Sequence, residues 1–186
     1  MVILGVLGGI AGVLVILFMA IISVYNKLVR YRNLMKEGWS GIDVFLKKRH
    51  DVVPNLVETV KGYASHEKTT LEDITRYRSE AMQAKGAESQ IESETQLGRA
   101  LTKLFAVAEN YPDLKANANF LELQKQLSEL ENDLEKARRY YNGTVRENNI
   151  YVEQFPTNII AGMFKFEKGL FFEIESAERT TPQLSF

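Results

Sequence analysis

The chain has 186 residues, of which 45% are hydrophobic, and it has a formal net charge of −1 and no cysteine. The lack of cysteine excludes disulfides, thiol chemistry and thiolate zinc sites. The balanced charge gives no reason to expect a nucleic-acid partner.

An uncharged N-terminal stretch, residues 2–22, organises the chain. As a helix its 21 residues reach roughly 30 Å, the thickness of a bilayer's hydrocarbon core. No basic residue precedes it and no small-residue cleavage pattern follows, so an uncleaved anchor is favoured over a signal peptide or a buried core helix. The basic residues that follow are Lys27, Arg30, Arg32 and Lys36. They predict a single-pass protein of the cell membrane, with its N-terminus outside and the rest in the cytoplasm.

Glycines recur on one face of this anchor. Gly5, Gly8, Gly9 and Gly12 contain two overlapping G-x-x-x-G patterns, which let membrane helices approach closely. Glycine is also frequent in membrane helices generally. We interpret this face as a contact between copies of the chain, which predicts a homo-oligomer.

Apolar residues at alternating spacings of four and three predict helices packed as in a coiled coil. The first continues from the anchor to about Ala64, and Pro54 is expected to kink it. The others cover about residues 67–85, 89–111 and 117–155. Capping boxes are predicted at Thr69 with Glu72 and at Ser89 with Glu92. The expected fold is all-α, with an N-terminal transmembrane helix followed by an extended up-down four-helix bundle whose first and last helices are long.

This pattern divides the chain into an anchor (residues 1–24), a bundle (residues 25–156) and an aromatic-rich C-terminal segment ending in a frayed tail (residues 157–186). The C-terminal segment either contacts the membrane or another subunit, or it folds back over the end of the bundle, which we favour. The residues predicted to lie near the membrane or a neighbouring subunit are Tyr25, Lys27, Arg30, Phe164, Phe166, Phe171 and Phe172.

Polar residues interrupt the apolar stripes of the two long helices. A buried arginine needs a partner, so we group Arg49 with Asp43 and Asp51. The predicted polar layer consists of Arg32, Asp43, Arg49, Thr144 and Asn148. We expect it to fix the helix register, as buried polar groups do in coiled coils, with a ligand pocket as the alternative. Trp39 lies on the same stripe, and we expect it to be buried against the last helix or in a subunit contact.

No motif predicts catalysis, a metal site or a cofactor. His50 and His66 are sixteen residues apart, too far along a helix to share a metal ion, and position 70 is Thr rather than the second histidine of H-E-x-x-H. The chain has no G-x-S-x-G, no Walker lysine and no phosphate-binding loop. We predict a non-enzymatic protein, with His66 at the surface and His50 solvated or salt-bridged.

Several segments resemble the bacterial LemA family. They are YNKLV (25–29), GWSGIDV (38–44), LKKRHD (46–51), PNLVETVKGYA (54–64), YPDLKAN (111–117), ARRYYN (137–142) and EQFP (153–156). Gly38 departs from the alanine expected before Trp39 and should make the helix more flexible there. The resemblance covers nearly the whole chain and implies an N-out anchor in the bacterial inner membrane and a cytoplasmic helical bundle. It implies no catalytic mechanism.

Two functions remain open on the sequence. The favoured one is a membrane-anchored scaffold that self-associates and organises or stabilises the cell membrane, with the lipid bilayer as its partner. The alternative is a binding module or regulator of a membrane partner such as a protease. A ligand-binding bundle or an enzyme is the least favoured interpretation.

Overall fold

The structure is a computed structural model that describes residues 1–172, apart from the side chain of Leu4. It contains six helices in the described residues: α1 (Val2–Lys61), α2 (Lys68–Gln83), α3 (Ala87–Ala108), α4 (Pro112–Lys115), α5 (Ala118–Glu153) and α6 (Thr157–Met163). No strand occurs in this range, so the prediction of an all-α fold is confirmed. The predicted tail, residues 176–186, lies outside the described residues.

The helix ends explain where the capping predictions failed. Neither α2 nor α3 has a side-chain cap, because each begins before its predicted capping box and Gly86 leads into α3. Gly86 has a φ of 89°, a conformation that glycine adopts at little steric cost. Pro112 starts the short helix α4 rather than merely stopping α3. Asn117 caps α5, since its Oδ1 accepts from the amide of Phe120 at 3.0 Å.

Two compact units make up the described chain. The first joins Met1–Ser40 with Arg138–Phe171, and the second contains Gly41–Ala137. The boundaries between the two units lie inside α1 and α5, where the sequence predicted no domain boundary. The division into anchor, bundle and C-terminal segment therefore remains a prediction.

The second unit has a core of aliphatic side chains from α1 to α5. On α1 the predicted stripe is buried at Ile42, Leu46, Val53, Leu56 and Val60. It meets α2 and α3 through Leu71, Ile74, Leu97, Leu101 and Leu104. The alternating spacing thus identified the buried faces of these helices correctly.

The first unit has a smaller core. It is built on Leu28 of α1, Ala161 of α6 and Phe166, with Val24, Val29, Tyr151, Val152 and Ile160 packed around them. The sequence did not predict α6. The alternating stripes of the two long helices also included Arg32 and Phe155, and the burial of both was wrongly predicted, because Arg32 is exposed and 75% of the Phe155 surface is accessible.

The N-terminal part of α1 carries the apolar stretch. Side chains such as Leu14, Ile16 and Phe18 are 61%, 68% and 64% exposed. Within residues 1–172, α1 is the one helix that is long and apolar enough to cross a membrane. No other described part of the protein buries the most apolar stretch of this helix. A core helix would be covered by protein, so this exposure fits a membrane span.

Candidate functional site

The chain reverses direction after α6 through a Schellman motif. The amide of Phe166 donates to the carbonyl of Ala161 at 2.9 Å, and that of Lys165 donates to Gly162 at 3.3 Å. Lys165 takes the left-handed position, with a φ of 54°. Phe166 then packs on Ala161, the hydrophobic contact that usually accompanies this motif. The motif fixes the direction of the following residues, 164–171, which we call the strap.

Side chains of α5 hold the strap by its main chain. Asn148 Nδ2 donates to the carbonyl of Glu167 at 3.1 Å. Asn149 makes a pair of bonds with Gly169, donating to its carbonyl at 3.0 Å and accepting from its amide at 2.8 Å. The Tyr141 hydroxyl donates to the carbonyl of Leu170 at 2.8 Å, and burial raises the pKa of this phenol, which keeps it a donor. The irregular backbone is therefore satisfied by three helical side chains.

Gly169 lets the strap lie close to the helices. A Cβ built at this position would stand 2.7 Å from Met35 Sδ and 3.3 Å from both methyl carbons of Val145. Such separations are below van der Waals contact, so a larger residue would push the strap away. Both glycine at 169 and the asparagine pairing are needed for this packing.

Aromatic and basic side chains surround the point where α1 leaves its apolar stretch. The ring of Tyr25 lies 4.8 Å from that of Phe164 and 5.7 Å from that of Phe166, both edge to face. Lys27 Nζ lies 4.5 Å above the Tyr151 ring, and the Arg32 guanidinium carbon lies 5.1 Å from the Phe166 ring centre. Arg32 therefore contacts an aromatic face and does not belong to a buried polar layer.

Trp39 and Gly38 mark a close approach between α1 and α5. The Trp39 and Tyr141 rings are 5.2 Å apart. Trp39 is half-buried, so it contacts the last long helix as predicted but is less buried than expected. A Cβ on Gly38 would lie 3.2 Å from the Cα of Tyr141. Gly38 thus allows α1 and α5 to pack closely, whereas the sequence analysis expected it to make the helix more flexible.

In the second unit, Arg49 and His50 share one buried carboxylate. Arg49 Nη2 pairs with Glu94 Oε2, and His50 Nε2 lies 2.8 Å from Glu94 Oε1. Arg49 Nη1 also reaches Glu131 at 3.1 Å, and Arg78 Nε donates to the carbonyl of His50 at 2.7 Å. We call Arg49, His50 and Glu94 the charged cluster. It ties α1 to α2, α3 and α5.

The charged cluster neutralises itself. Burial alone would raise the pKa of Glu94, but the close approach of His50 Nε2 and the charge of Arg49 outweigh it and hold the pKa below its ordinary value. Glu94 is 1% and Arg49 2% exposed, so water cannot solvate either charge and each depends on the other for stabilisation. The Arg49 guanidinium already neutralises the Glu94 carboxylate, which favours a structural ion pair over a binding site for a metal cation. His50 is buried beside Glu94 rather than solvated, and His66 is exposed as predicted.

The residues of the predicted polar layer have separate partners. Arg49 pairs with Glu94 rather than Asp43 or Asp51, because residues six or two positions apart on a helix point to different faces. Asp43 is exposed and accepts from Gln90 Nε2 at 3.0 Å. The remaining two bond within the first unit, where Asn148 holds the strap and Thr144 donates to the carbonyl of Tyr141 at 2.7 Å.

The residues predicted near the membrane divide into two groups. Phe166 and Phe172 are buried, at 8% and 3% exposure, which fits the favoured expectation that the segment folds back. The exposed group consists of Tyr25, Lys27, Arg30, Phe164 and Phe171. On the anchor, a Cβ added to Gly5, Gly8, Gly9 or Gly12 would meet nothing within 4 Å among the described residues. That face is open.

Sequence reasoning missed two residues that matter. Glu94 lies three residues before Leu97 and so extends the α3 stripe by one step, a signal that could have paired it with Arg49. Asn149 is adjacent to the α5 stripe, and nothing in the helical spacing indicates a bond to Gly169.

Comparisons with known proteins agree with the resemblance. Residues 38–186 match the LemA family. The chain is 28% identical to Protein LemA of Metamycoplasma hominis over 83% of its own length and 71% of the relative. It is 23% identical to Magnetosome protein MamQ 2 of Paramagnetospirillum magneticum and 22% to Magnetosome protein MamQ of Magnetospirillum gryphiswaldense, in each case over 86% of this chain and 70% of the relative. None of these names denotes an enzyme. The chain belongs to the LemA family.

Proposed function

We propose that this chain is a non-enzymatic, membrane-anchored scaffold whose helical body faces the cytoplasm and self-associates to organise the membrane. The observation that carries the proposal is α1, in which an uncharged apolar stretch, exposed along its length, continues without a break into a helical body. Exposed apolar side chains over a bilayer's thickness are stable only in contact with lipid or another apolar surface.

The orientation rests on charge. Lys27, Arg30, Arg32 and Lys36 follow the apolar stretch. Such a cluster of basic residues favours retention of that side of the membrane in the cytoplasm. A reporter fused after Phe186 should therefore be active only if it is a cytoplasmic reporter. Activity of a periplasmic reporter at the same position would refute the topology.

Self-association rests on the open glycine face. Helices in lipid associate by close packing, and small residues permit that approach. The full chain, purified in mild detergent, should form a defined higher-order species containing no other polypeptide. A monomer would refute self-association.

One observation favours the alternative, a regulator of a membrane partner. An open groove of about 770 Å³ runs between the end of α1 and α2, with Val57 and Leu71 at its floor and Lys61, Glu72 and Arg76 among its rim residues. An apolar floor with a charged rim suits an amphipathic helix. In the same purification, a single copy that retains one stoichiometric membrane protein would support this function instead.

A further inference from the structure

We propose that the outer face of α6 is a second membrane contact, inserted among anionic lipid headgroups beside the point where α1 leaves the bilayer. We define this outer face as Ile159 and Met163 of α6 together with the flanking residues Phe155 and Phe164. The inference rests on the proposed anchor but assigns a lipid-binding surface to a different part of the chain.

Helix α6 is apolar on two opposite faces. Its inner face packs on the core of the first unit, where Ala161 is 1% exposed. On the outer face, Ile159 and Met163 are four residues apart and are 55% and 70% exposed, and Phe155, which precedes the helix, is 75% exposed. Exposed apolar side chains grouped on the outer side of a helix that already packs on a core indicate that a second apolar surface covers them.

Continuity with the anchor indicates what that surface is. Tyr25 lies three residues after Ile22, or about 4.5 Å along the helix. The headgroup layer on one side of a bilayer is roughly 5–7 Å deep. The Phe164 ring is 4.8 Å from that of Tyr25, and Val24 packs on the same cluster as Ala161. Helix α6 is thus held against the part of α1 that passes through this layer.

Charge favours lipid over a second copy of the chain. Lys27 packs over Tyr151, which belongs to the same core as Ala161, and Lys165 follows α6; both have exposed side chains. Anionic headgroups attract such basic residues. Two copies meeting through this face would instead bring like charges together. Apolar side chains beneath a ring of basic ones are typical of helices that lie in the membrane interface.

The absence of native cysteine permits a direct test in the full chain. Single variants Met163→Cys, Phe18→Cys and Ser128→Cys carry an environment-sensitive fluorophore in vesicles of mixed phosphatidylcholine and phosphatidylserine. The lipids bear a nitroxide quencher either near the headgroup or near the chain end. The label at 163 should be quenched at least about twofold more by the shallow nitroxide than by the deep one, because interfacial helices lie 5–10 Å deep. The label at 128 should respond to neither, and shallow quenching at 163 should fall in pure phosphatidylcholine.

The Phe18→Cys variant separates the two proposals. If its label is quenched and the label at 163 responds to neither nitroxide, the anchor stands and the second contact is refuted. Disulfide cross-linking between copies through Met163→Cys would also refute it, since a second copy would then cover the face. Equal shallow quenching with and without phosphatidylserine would refute the assignment to anionic lipid. If the label at 18 is not quenched, the anchor itself fails.

Discussion

Removing the Glu94 carboxylate should destabilise the protein more than any exposed charge change. Glu94→Ala leaves Arg49 and His50 buried without their shared partner, and breaking a buried pair in this way typically costs 3–5 kcal/mol. Arg49 keeps Glu131 at 3.1 Å and the main-chain carbonyl of residue 94 at 3.3 Å. The loss should therefore lie at the lower end, about 3 kcal/mol. With a urea dependence of about 2 kcal/mol per M, the unfolding midpoint should fall by about 1.5 M.

The assay is urea unfolding of the full chain in mild detergent, followed by circular dichroism. The matched control is Glu129→Ala, because Glu129 is exposed and lies 4.0 Å from Lys125. An exposed pair of this kind contributes between nothing and about 1 kcal/mol. Equal midpoints for the two variants would refute the stabilising role of the charged cluster. The double variant Arg49→Met with Glu94→Leu should recover most of the loss, because apolar replacement of a buried pair is often neutral.

The same carboxylate predicts a pH dependence. The pKa of Glu94 is lowered on folding from an ordinary value of 4.5. Its stabilising contribution is therefore complete above pH 4.5 and is lost as the pH falls through the lower folded value. The free energy of unfolding should decline on this acid side in the native protein. It should decline less in Glu94→Gln, and identical acid slopes for the two would contradict the argument.

Three further outcomes are expected. Gly169→Ala should destabilise the strap by about 1–3 kcal/mol and speed its proteolysis, whereas Gly143→Ala, at an open helical position, should not. Gly8→Leu should weaken self-association in a membrane two-hybrid assay more than Ile10→Phe on the opposite face, and equal effects would refute the glycine contact. The fluorescence of Trp39 should be partly quenched by iodide to the same extent with and without lipid, since its ring packs on α5. Shielding that depends on lipid would place it at the membrane instead.

The helices were predictable because their stability depends on repeated burial. The alternating stripe on α1 identified Ile42, Leu46 and Val53 as buried from their spacing alone. The same rule failed at Arg32, whose guanidinium lies over the Phe166 ring instead of packing in an aliphatic core. Periodicity reports which face is covered, but the identity of the covering group depends on residues more than a hundred positions away.

The polar contacts were only half predictable. A buried arginine requires a carboxylate, and that physical argument was sound for Arg49. Sequence proximity selected Asp43 and Asp51, while the fold supplied Glu94 from another helix. The bonds that hold the strap were not predictable, because they join side chains of Asn148 and Asn149 to main-chain atoms, which every sequence contains.

The way α5 binds the strap makes the position of its backbone independent of the side chain at an exposed residue. Because α5 binds the main-chain carbonyl of Leu170, whose side chain is exposed, that side chain can be exchanged without altering the bonds that hold the segment. Gly169 is constrained by the close approach of Met35 and Val145, Phe166 by its burial, and Lys165 by its positive φ. The strap is therefore a site where engineered side chains, including charged, aromatic or chemically reactive ones, could be displayed next to α6 on an unchanged scaffold.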